Sequence, residues 1–330
     1  MKFGPCRVDQ AKGAILAHSV SLPSGAIKKG SVLTEAHVED LIKAGIASIV
    51  VACLAPTDLD ENAAAAALGD GFSPASNGLR ASAAHTGRVN LFAQIPGVIE
   101  IDKEAINAFN RVNPMITIAT VPAHQRLVAG DMVATIKIIA YGVPKSDVDR
   151  AVDLAGGALT LRAPIFNNAV LIETLVADQS IGSKGYDALS RRLSRLDVSL
   201  GQQTTCDHTV DGLAAALMQT PAEVIFILTG SATSDTEDVG PSALRKAGGV
   251  VTYFGMPVDP GNLLFLGYLG HRPVIGLPGC ARSVALNGAD WVLERVLCGL
   301  PVGPEQIQAM GVGGLLKEIA QRGHPRNSKA

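Results

Sequence analysis

Along the chain, short uninterrupted apolar runs alternate with segments in which apolar residues recur every three to four positions. In the second half this alternation is regular. The runs NAVLIET (168–174), EVIFILTG (223–230) and RPVIGLPG (272–279) have strand length and no polar face. The intervening stretches KGYDALSRRLSRL (184–196), AAALMQT (214–220), PSALRKAGG (241–249) and ALNGADWVLERVLCGL (285–300) carry helical spacing, and the paired glycines 248–249 stop the third. Strand followed by helix, repeated, predicts βαβ units in a mostly parallel sheet with helices on its faces. Ligands of such sheets sit beyond the carboxyl ends of the strands, which puts two loops, 229–238 and 277–284, on one rim.

The first half is less regular. SIVVACL (48–54), MITIATV (115–121) and DMVATIKIIAYG (131–142) read as strands, the last as a long strand or hairpin arm. LTEAHVEDLIKAG reads as a helix capped by Thr34 and stopped by Gly45. KEAINAFNRV and KSDVDRAVDLAGG read as two more helices, and the Ala-rich then Gly-rich stretch 60–87 as a short helix followed by a mobile loop. The expected organisation is a mixed α/β region over 1–159, an α/β domain with a three-layer, mostly parallel sheet over 160–310, and a polar tail over 311–330.

Composition narrows the function classes. Of 330 residues, 47% are hydrophobic and 18% charged, which suffices for large cores and argues against global disorder. A formal net charge of −2 does not indicate a nucleic-acid-binding surface and leaves room only for a local basic patch. The five cysteines form no CxxC pair, so neither a disulfide framework nor a zinc site is expected. MKFGPCRVDQAKGAIL lacks the apolar core of a signal peptide, and no apolar run approaches the ~20 residues of a membrane span. A cytoplasmic protein with no membrane partner is the expectation.

Candidate chemistry concentrates in FILTGSATSDTEDVGPSAL (226–244). Thr229, Gly230, Ser231, Thr233 and Ser234 follow a strand end, and Pro241 sits just inside the next helix. Small residues let backbone N–H groups approach an anion, and the helix N-terminus favours negative charge. Phosphate is the natural guest. Asp238 stands where a phosphate ester needs a general base or a Mg²⁺ ligand. The alternative is an ordinary Ser/Thr-rich turn with solvated acids.

This stretch resembles the signature of the molybdopterin-binding domain shared by molybdopterin adenylyltransferases and molybdenum insertases. Thr229, Gly230, Thr233, Asp238, Val239 and Pro241 match it. Downstream, MPVDPGNLLFLG is similar to the family's Pro-Gly-Lys segment, with Asn262 in place of Lys. VIGLPGCARSVALNG is similar to its Leu-Pro-Gly-x-Pro-x-Ser loop, matching at Leu277, Pro278, Gly279 and Ser283, with Ala281 in place of the second Pro. Lys184-Gly185 resembles the adenylyltransferases' Asp-Lys-Gly, with Ser183 for Asp, and Asp207 lies near the acid that opens the next helix. The likeness covers roughly 167–299. KKGSVLTEAHVEDLIKAGIASIVVA also resembles an insertase segment, although here over a hundred residues separate it from the domain. Bacterial molybdopterin-binding proteins show the same overall pattern. Ser231 and Asp235 depart from it, which favours binding over catalysis.

The resemblance implies molybdopterin or its nucleotide form as ligand, with Mg²⁺ and ATP as further cofactors, and is compatible with a homo-oligomer. Thr229 to Ser234, Lys184, Pro278, Gly279, Arg282 and Ser283 would bind the cofactor. Asp238 and Asp207 would be catalytic, with Asp238 holding the metal. Three activities stay open: Mg²⁺-assisted adenylyl transfer from ATP, cleavage of the adenylylated pterin with molybdate insertion, and nucleotide pyrophosphate hydrolysis of the competence-damage type. A non-catalytic carrier delivering cofactor to a nucleotidyltransferase or apoenzyme is a fourth reading. Cys280 reads as a reactive thiol or a small buried side chain, and Arg282 as a phosphate partner or a surface ion pair. His208 reads as a capping or solvent-facing group, and Trp291 as core with Leu286 and Val292. His85 and Arg88, in HTGR, read as a lid or partner surface. The Gly-rich stretches form no GxGxxG after the first strand, which excludes a nicotinamide dehydrogenase.

Overall fold

Strands without a polar face must be covered on both sides, and this constraint organises the second half of the chain. The computed structural model describes residues 1–177 and 182–316, so the polar end GHPRNSKA lies outside the described residues. The chain packs as two units. One consists of Met1–Gln94, Ile99–Gln125 and Ala129–Leu161; the other takes Ile95–Val98, Arg126–Val128 and the chain from Arg162 onward.

In the first unit, β1 (Lys2–Arg7) and β2 (Ile15–Leu16) pair antiparallel with β5 (Ser48–Cys53), and β3 (Val20–Leu22) forms a hairpin with β4 (Gly25–Ile27). Helix α1 (Glu35–Lys43) begins at Thr34, whose hydroxyl accepts from the His37 amide while the His37 ring accepts from the Thr34 amide. Leu16, Leu33, Leu41, Ile49 and Val51 form the core beneath it. β6 (Asp58–Asp60) pairs with β13 (Gly142–Pro144).

Helix α2 (Glu61–Phe72), capped by Asp60, runs through the Gly-rich stretch expected to loop out. After it, β7 (Leu79–Ala81) pairs with β8 (Arg88–Ala93), where a mobile loop was expected. The glycines are steric, not breaking. A methyl on Gly69 would lie 2.8 Å from Val89, and one on Gly71 would lie 2.8 Å from Val152. β9 (Gly97–Ile101) and α3 (Lys103–Val112) follow, and the Phe72 and Phe109 rings meet edge to face at 5.5 Å. β10 (Ile116–Thr120) pairs with β12 (Met132–Ile138), which pairs with β8, completing a four-stranded antiparallel sheet. The HTGR stretch is the tight turn leading into β8: His85 and Arg88 exchange backbone hydrogen bonds, with Thr86 and Gly87 both at positive φ. Between β10 and β12, β11 (Arg126–Leu127) pairs with the first residues of β9. α4 (Lys145–Ala155) and β14 (Leu159–Arg162) end the first half.

The second unit is built on one seven-stranded sheet. β15 (Asn168–Leu175) pairs in parallel with β16 (Ser199–Leu200), β17 (Thr204–Asp207) and β18 (Val224–Leu228), and β18 with β21 (Arg272–Leu277). β20 (Phe265–Leu269) and β19 (Val250–Phe254) extend it antiparallel. Alternate residues face opposite layers. Leu171, Phe226 and Ile275 pack under α5 (Lys184–Ser194) and α8 (Gly288–Leu297). Ile172, Ile225, Ile227 and Val274 pack under α6 (Val210–Gln219) and α7 (Val239–Lys246). A short α9 (Pro304–Gln308) closes the described chain, seating Ile307 in the first of these cores. The fold is thus mixed α/β, with a predominantly parallel sheet between helical layers. No helix among the described residues is long and apolar enough to cross a membrane.

The Phe265 ring explains two glycines of the sequence motifs. It is buried, and a methyl on Gly276 would overlap it, while one on Gly240 would lie 2.8 Å from it. Trp291 packs half-buried against the core as expected, whereas Leu286 is exposed.

Beneath α8, the Glu294 carboxylate accepts from Arg126 Nε at 2.8 Å. Burial nevertheless pushes its pKa up to about 7, with Arg126 opposing and Asp290 reinforcing the rise. The folded unit therefore holds this proton more tightly than the unfolded chain. The stability it confers is complete at low pH and is lost as pH rises from about 4.3 to about 7. Glu294→Gln should flatten that decline, by roughly 5 °C in Tm between pH 5 and pH 8. Parallel Tm curves for the two proteins would show that Glu294 is not the group responsible.

Candidate functional site

Register brings the predicted loops to one edge of the sheet. Glu173 on β15 stands opposite Thr205 on β17 and Leu228 on β18, and Leu228 stands opposite Leu277 on β21. All four strands run the same way, so Asp207, Thr174, Thr229 and Pro278 leave the sheet at the same carboxyl edge.

The loop after β18 is closed from within. Thr229 and Thr233 are buried, and their hydroxyls meet at 3.1 Å. The Gly230 amide donates to Thr174 Oγ1 at 2.9 Å, and that hydroxyl lies 2.7 Å from His208 Nδ1. Asp238 completes the closure. One oxygen accepts from the Ser234 amide at 3.0 Å, and the other accepts from the Val239 amide at 2.7 Å, capping α7. The Ser234 amide holds this carboxyl below the usual carboxylate range; burial opposes that, and the Val239 amide and the His208 charge add to it.

The predicted residues therefore divide by role. Ser231 and Ser234 are exposed, while Thr229 and Thr233 tie the loop together with hydroxyls turned inward. Asp235 accepts from the Glu237 amide, and Glu237 pairs with Arg245 at 3.3 Å, so both acids serve the turn and its helix. Lys184 opens α5 and is exposed. Asp207 ends β17 and is exposed; the cap of the following helix is Thr209, not the acid. His208, read as capping or solvent-facing, is half-buried and bonded to Thr174.

The second loop is held from below. Gly279–Arg282 forms a 3₁₀ turn after Pro278, and Ser283 Oγ accepts from the Ala285 amide at 3.2 Å. Cys280 is exposed, against the small-buried reading, and its sulfur accepts from Asn287 Nδ2 at 3.0 Å. Arg282 faces the first loop. Its Nη2 lies 3.4 Å from both Glu173 Oε1 and the Thr229 carbonyl oxygen. Glu173 is buried and also accepts from Gln203 Nε2. A methyl on Gly185, in the first turn of α5, would lie 2.8 Å from Glu173 Oε1, so this helix start also abuts the site.

Three residues that hold the site went unremarked in the sequence. Arg192 is buried; its Nε donates to the buried Asp290, its Nη1 to the Ala281 carbonyl at 2.9 Å, and its Nη2 to those of Ser283 and Ala285 at 2.8 and 3.2 Å. The signal was there: Arg192 shares the apolar face of α5 with Leu189 and Leu193. Asp290 follows Asn287 by three positions, and the pair forms a capping box at the start of α8. Glu173 is the one charge in an otherwise apolar strand.

Among the described residues, no group of three or more His, Cys, Asp or Glu is arranged to hold a metal ion. Each Asp238 oxygen has one N–H donor and keeps a lone pair. The site therefore fits a Mg²⁺ held by one carboxylate together with ligand phosphate oxygens, and does not fit an all-protein metal cage.

A family model described as "Domain of unknown function (DUF8806)" matches residues 5–53, within the first unit. No curated protein matches the chain. Among solved structures, a molybdopterin biosynthesis MoeA protein from Pyrococcus horikosii is similar at 12% identity and a TM-score of 0.32, covering 90% of this chain and 75% of its own. A molybdenum cofactor biosynthesis protein from Pyrococcus furiosus is similar at 12% identity and a TM-score of 0.24, covering 91% of this chain and 64% of its own.

Replacing Arg192 tests what holds the second loop. Arg192→Met strands the buried Asp290 and frees three loop carbonyls, and should cost roughly 3–5 kcal/mol. Arg192→Lys keeps the charge but lacks the planar fork, and should fall between. Urea unfolding gives the stabilities, and limited proteolysis should show new cleavage within 280–286. Two variants within about 1 kcal/mol of the parent would rule the clamp out.

Proposed function

We propose that this chain binds a phosphorylated pterin, molybdopterin or its adenylylated form, and serves molybdenum cofactor biosynthesis. The observation that carries this reading is the preformed loop Thr229–Asp238 at the carboxyl edge of parallel strands, tied by Thr229–Thr233 and Asp238–Ser234, with Arg282 beside it. A loop of small residues already closed loses little entropy when an anion arrives. Its exposed positions 231 and 232 and the Arg282 guanidinium are the donors that a phosphate group would meet. The signature match of the sequence supplies the pterin.

In this reading Arg282 neutralises charge on the phosphate, and Asp238 keeps the loop in register with α7. Lys184, at the start of α5, adds a second cation. Asp238 is the residue that would hold Mg²⁺, and the metal would supply positive charge to offset that of the carboxylate and the ligand. ATP would enter only if the chain catalyses adenylyl transfer.

The two backbone amides that donate to Asp238 lower its affinity for a proton, which makes it a weak general base and favours the carrier reading over a catalytic one. The recipient would then be a molybdenum cofactor nucleotidyltransferase or an apo-molybdoenzyme.

Purified protein given molybdopterin, ATP and Mg²⁺ should bind the pterin without releasing pyrophosphate. Asp238→Asn, which keeps the Val239 cap through one oxygen, should weaken pterin binding by about tenfold, the loss of one charge-assisted hydrogen bond. Calorimetry on both proteins, with and without Mg²⁺, checks this. Pyrophosphate release would replace the carrier by an adenylyltransferase, and equal affinities would remove Asp238 from the site.

A further inference from the structure

The buried Glu173 carboxylate lies in the floor of the candidate site, and nothing in the proposed binding of phosphate uses it. It sits on β15, one residue before Thr174, with its side chain 7% exposed. Its partners are the Gln203 amide and Arg282. The Arg282 contact is loose. A guanidinium with five donors makes two bonds at 3.4 Å here and stays 37% exposed. Charge-assisted bonds to an anion are shorter, near 2.8 Å, so a bound phosphate would draw Arg282 off Glu173. That would leave the carboxylate buried with only an uncharged amide, a state that burial penalises.

Counting charges gives the consequence. Asp207, Asp238 and Glu173 contribute three negative charges at this edge, against two positive charges from Arg282 and Lys184. The floor of the loop is therefore not a plain anion hole. Each extra negative charge on a ligand meets a fixed carboxylate that water screens poorly.

We propose that Glu173 is a specificity-determining residue: paired with Arg282, it makes the Thr229–Asp238 loop select phosphates carrying one negative charge each, as in a pyrophosphate diester, over a dianionic terminal phosphate. This inference rests on the phosphate-binding reading above and refines it. Of the two pterin forms, the adenylylated one, whose phosphates are all esterified, is the ligand the site prefers. Glu173 acts through electrostatics and through its hold on Arg282, without touching the ligand.

The test uses the full chain in EDTA at pH 8, with ADP-ribose as the diester probe and ADP as the probe with a dianionic terminus. The parent should bind ADP-ribose about tenfold more tightly than ADP, the effect of one poorly screened charge. Glu173→Gln keeps the shape and an acceptor for Gln203, and should bring the two affinities within about threefold, mainly by tightening ADP. Arg282→Gln, at a half-exposed side chain, should weaken both probes and widen the preference, because the Glu173 charge is then unopposed. A merely structural Glu173 would change both probes equally. Binding of both probes with the same preference in parent and Glu173→Gln would overturn this inference and leave the phosphate loop standing. A preference that disappears in Arg282→Gln would overturn it as well. No binding of either probe by the parent would sink the loop reading and the inference together.

Discussion

The Arg192–Asp290 pair is the interaction on which the second unit's rim depends. A guanidinium taken out of water must satisfy its donors, and Arg192 does so with one carboxylate and three carbonyls of a single loop. The carboxylate it meets is also the N3 partner of the Asn287 cap. One side chain thus fixes the path of residues 281–285, the start of α8 and the depth of α5. Replacing such a pair with apolar groups is often neutral for stability. What the pair provides here is geometry, because no apolar side chain can hold three carbonyls in place.

The same logic applies to the first loop, on a smaller scale. The Thr229–Asp238 segment is shaped by hydrogen bonds between its own members and by Thr174 from the neighbouring strand. Thr174 Oγ1 accepts from the Gly230 amide and also meets His208 Nδ1, so one hydroxyl joins the loop to the imidazole.

Much of the second unit was legible because every strand there is covered on both faces. Runs such as VIFIL admit no reading but a buried strand, and the helices between them carry plain stripes. The first half was harder. The helix expected over its Ala-rich stretch runs on as α2 through Gly69 and Gly71, where propensity puts a loop, because those glycines let Val89 and Val152 come close. That contact is tertiary, and propensity cannot see it. At the site, sequence reasoning named the residues that line the rim and missed those that support it. Arg192 and Glu173 look like solvated charges until the faces they occupy are counted. The inward turn of the Thr229 and Thr233 hydroxyls was illegible, because a hydroxyl in a loop carries no periodicity to reveal its direction.

Phe265 occupies the space that Gly276 and Gly240 leave empty, at the junction of β20, β21 and α7. The ring's volume and the missing side chains are therefore one quantity shared by three positions. A drifting lineage cannot enlarge position 276 first without overfilling the core, and cannot shrink position 265 first without opening a void. Either step penalises a sheet whose carboxyl-edge loops lie beside these positions. Gly240 and Gly276 would then persist whatever ligand the sheet came to serve, so they are markers of how this sheet is filled rather than of what it binds.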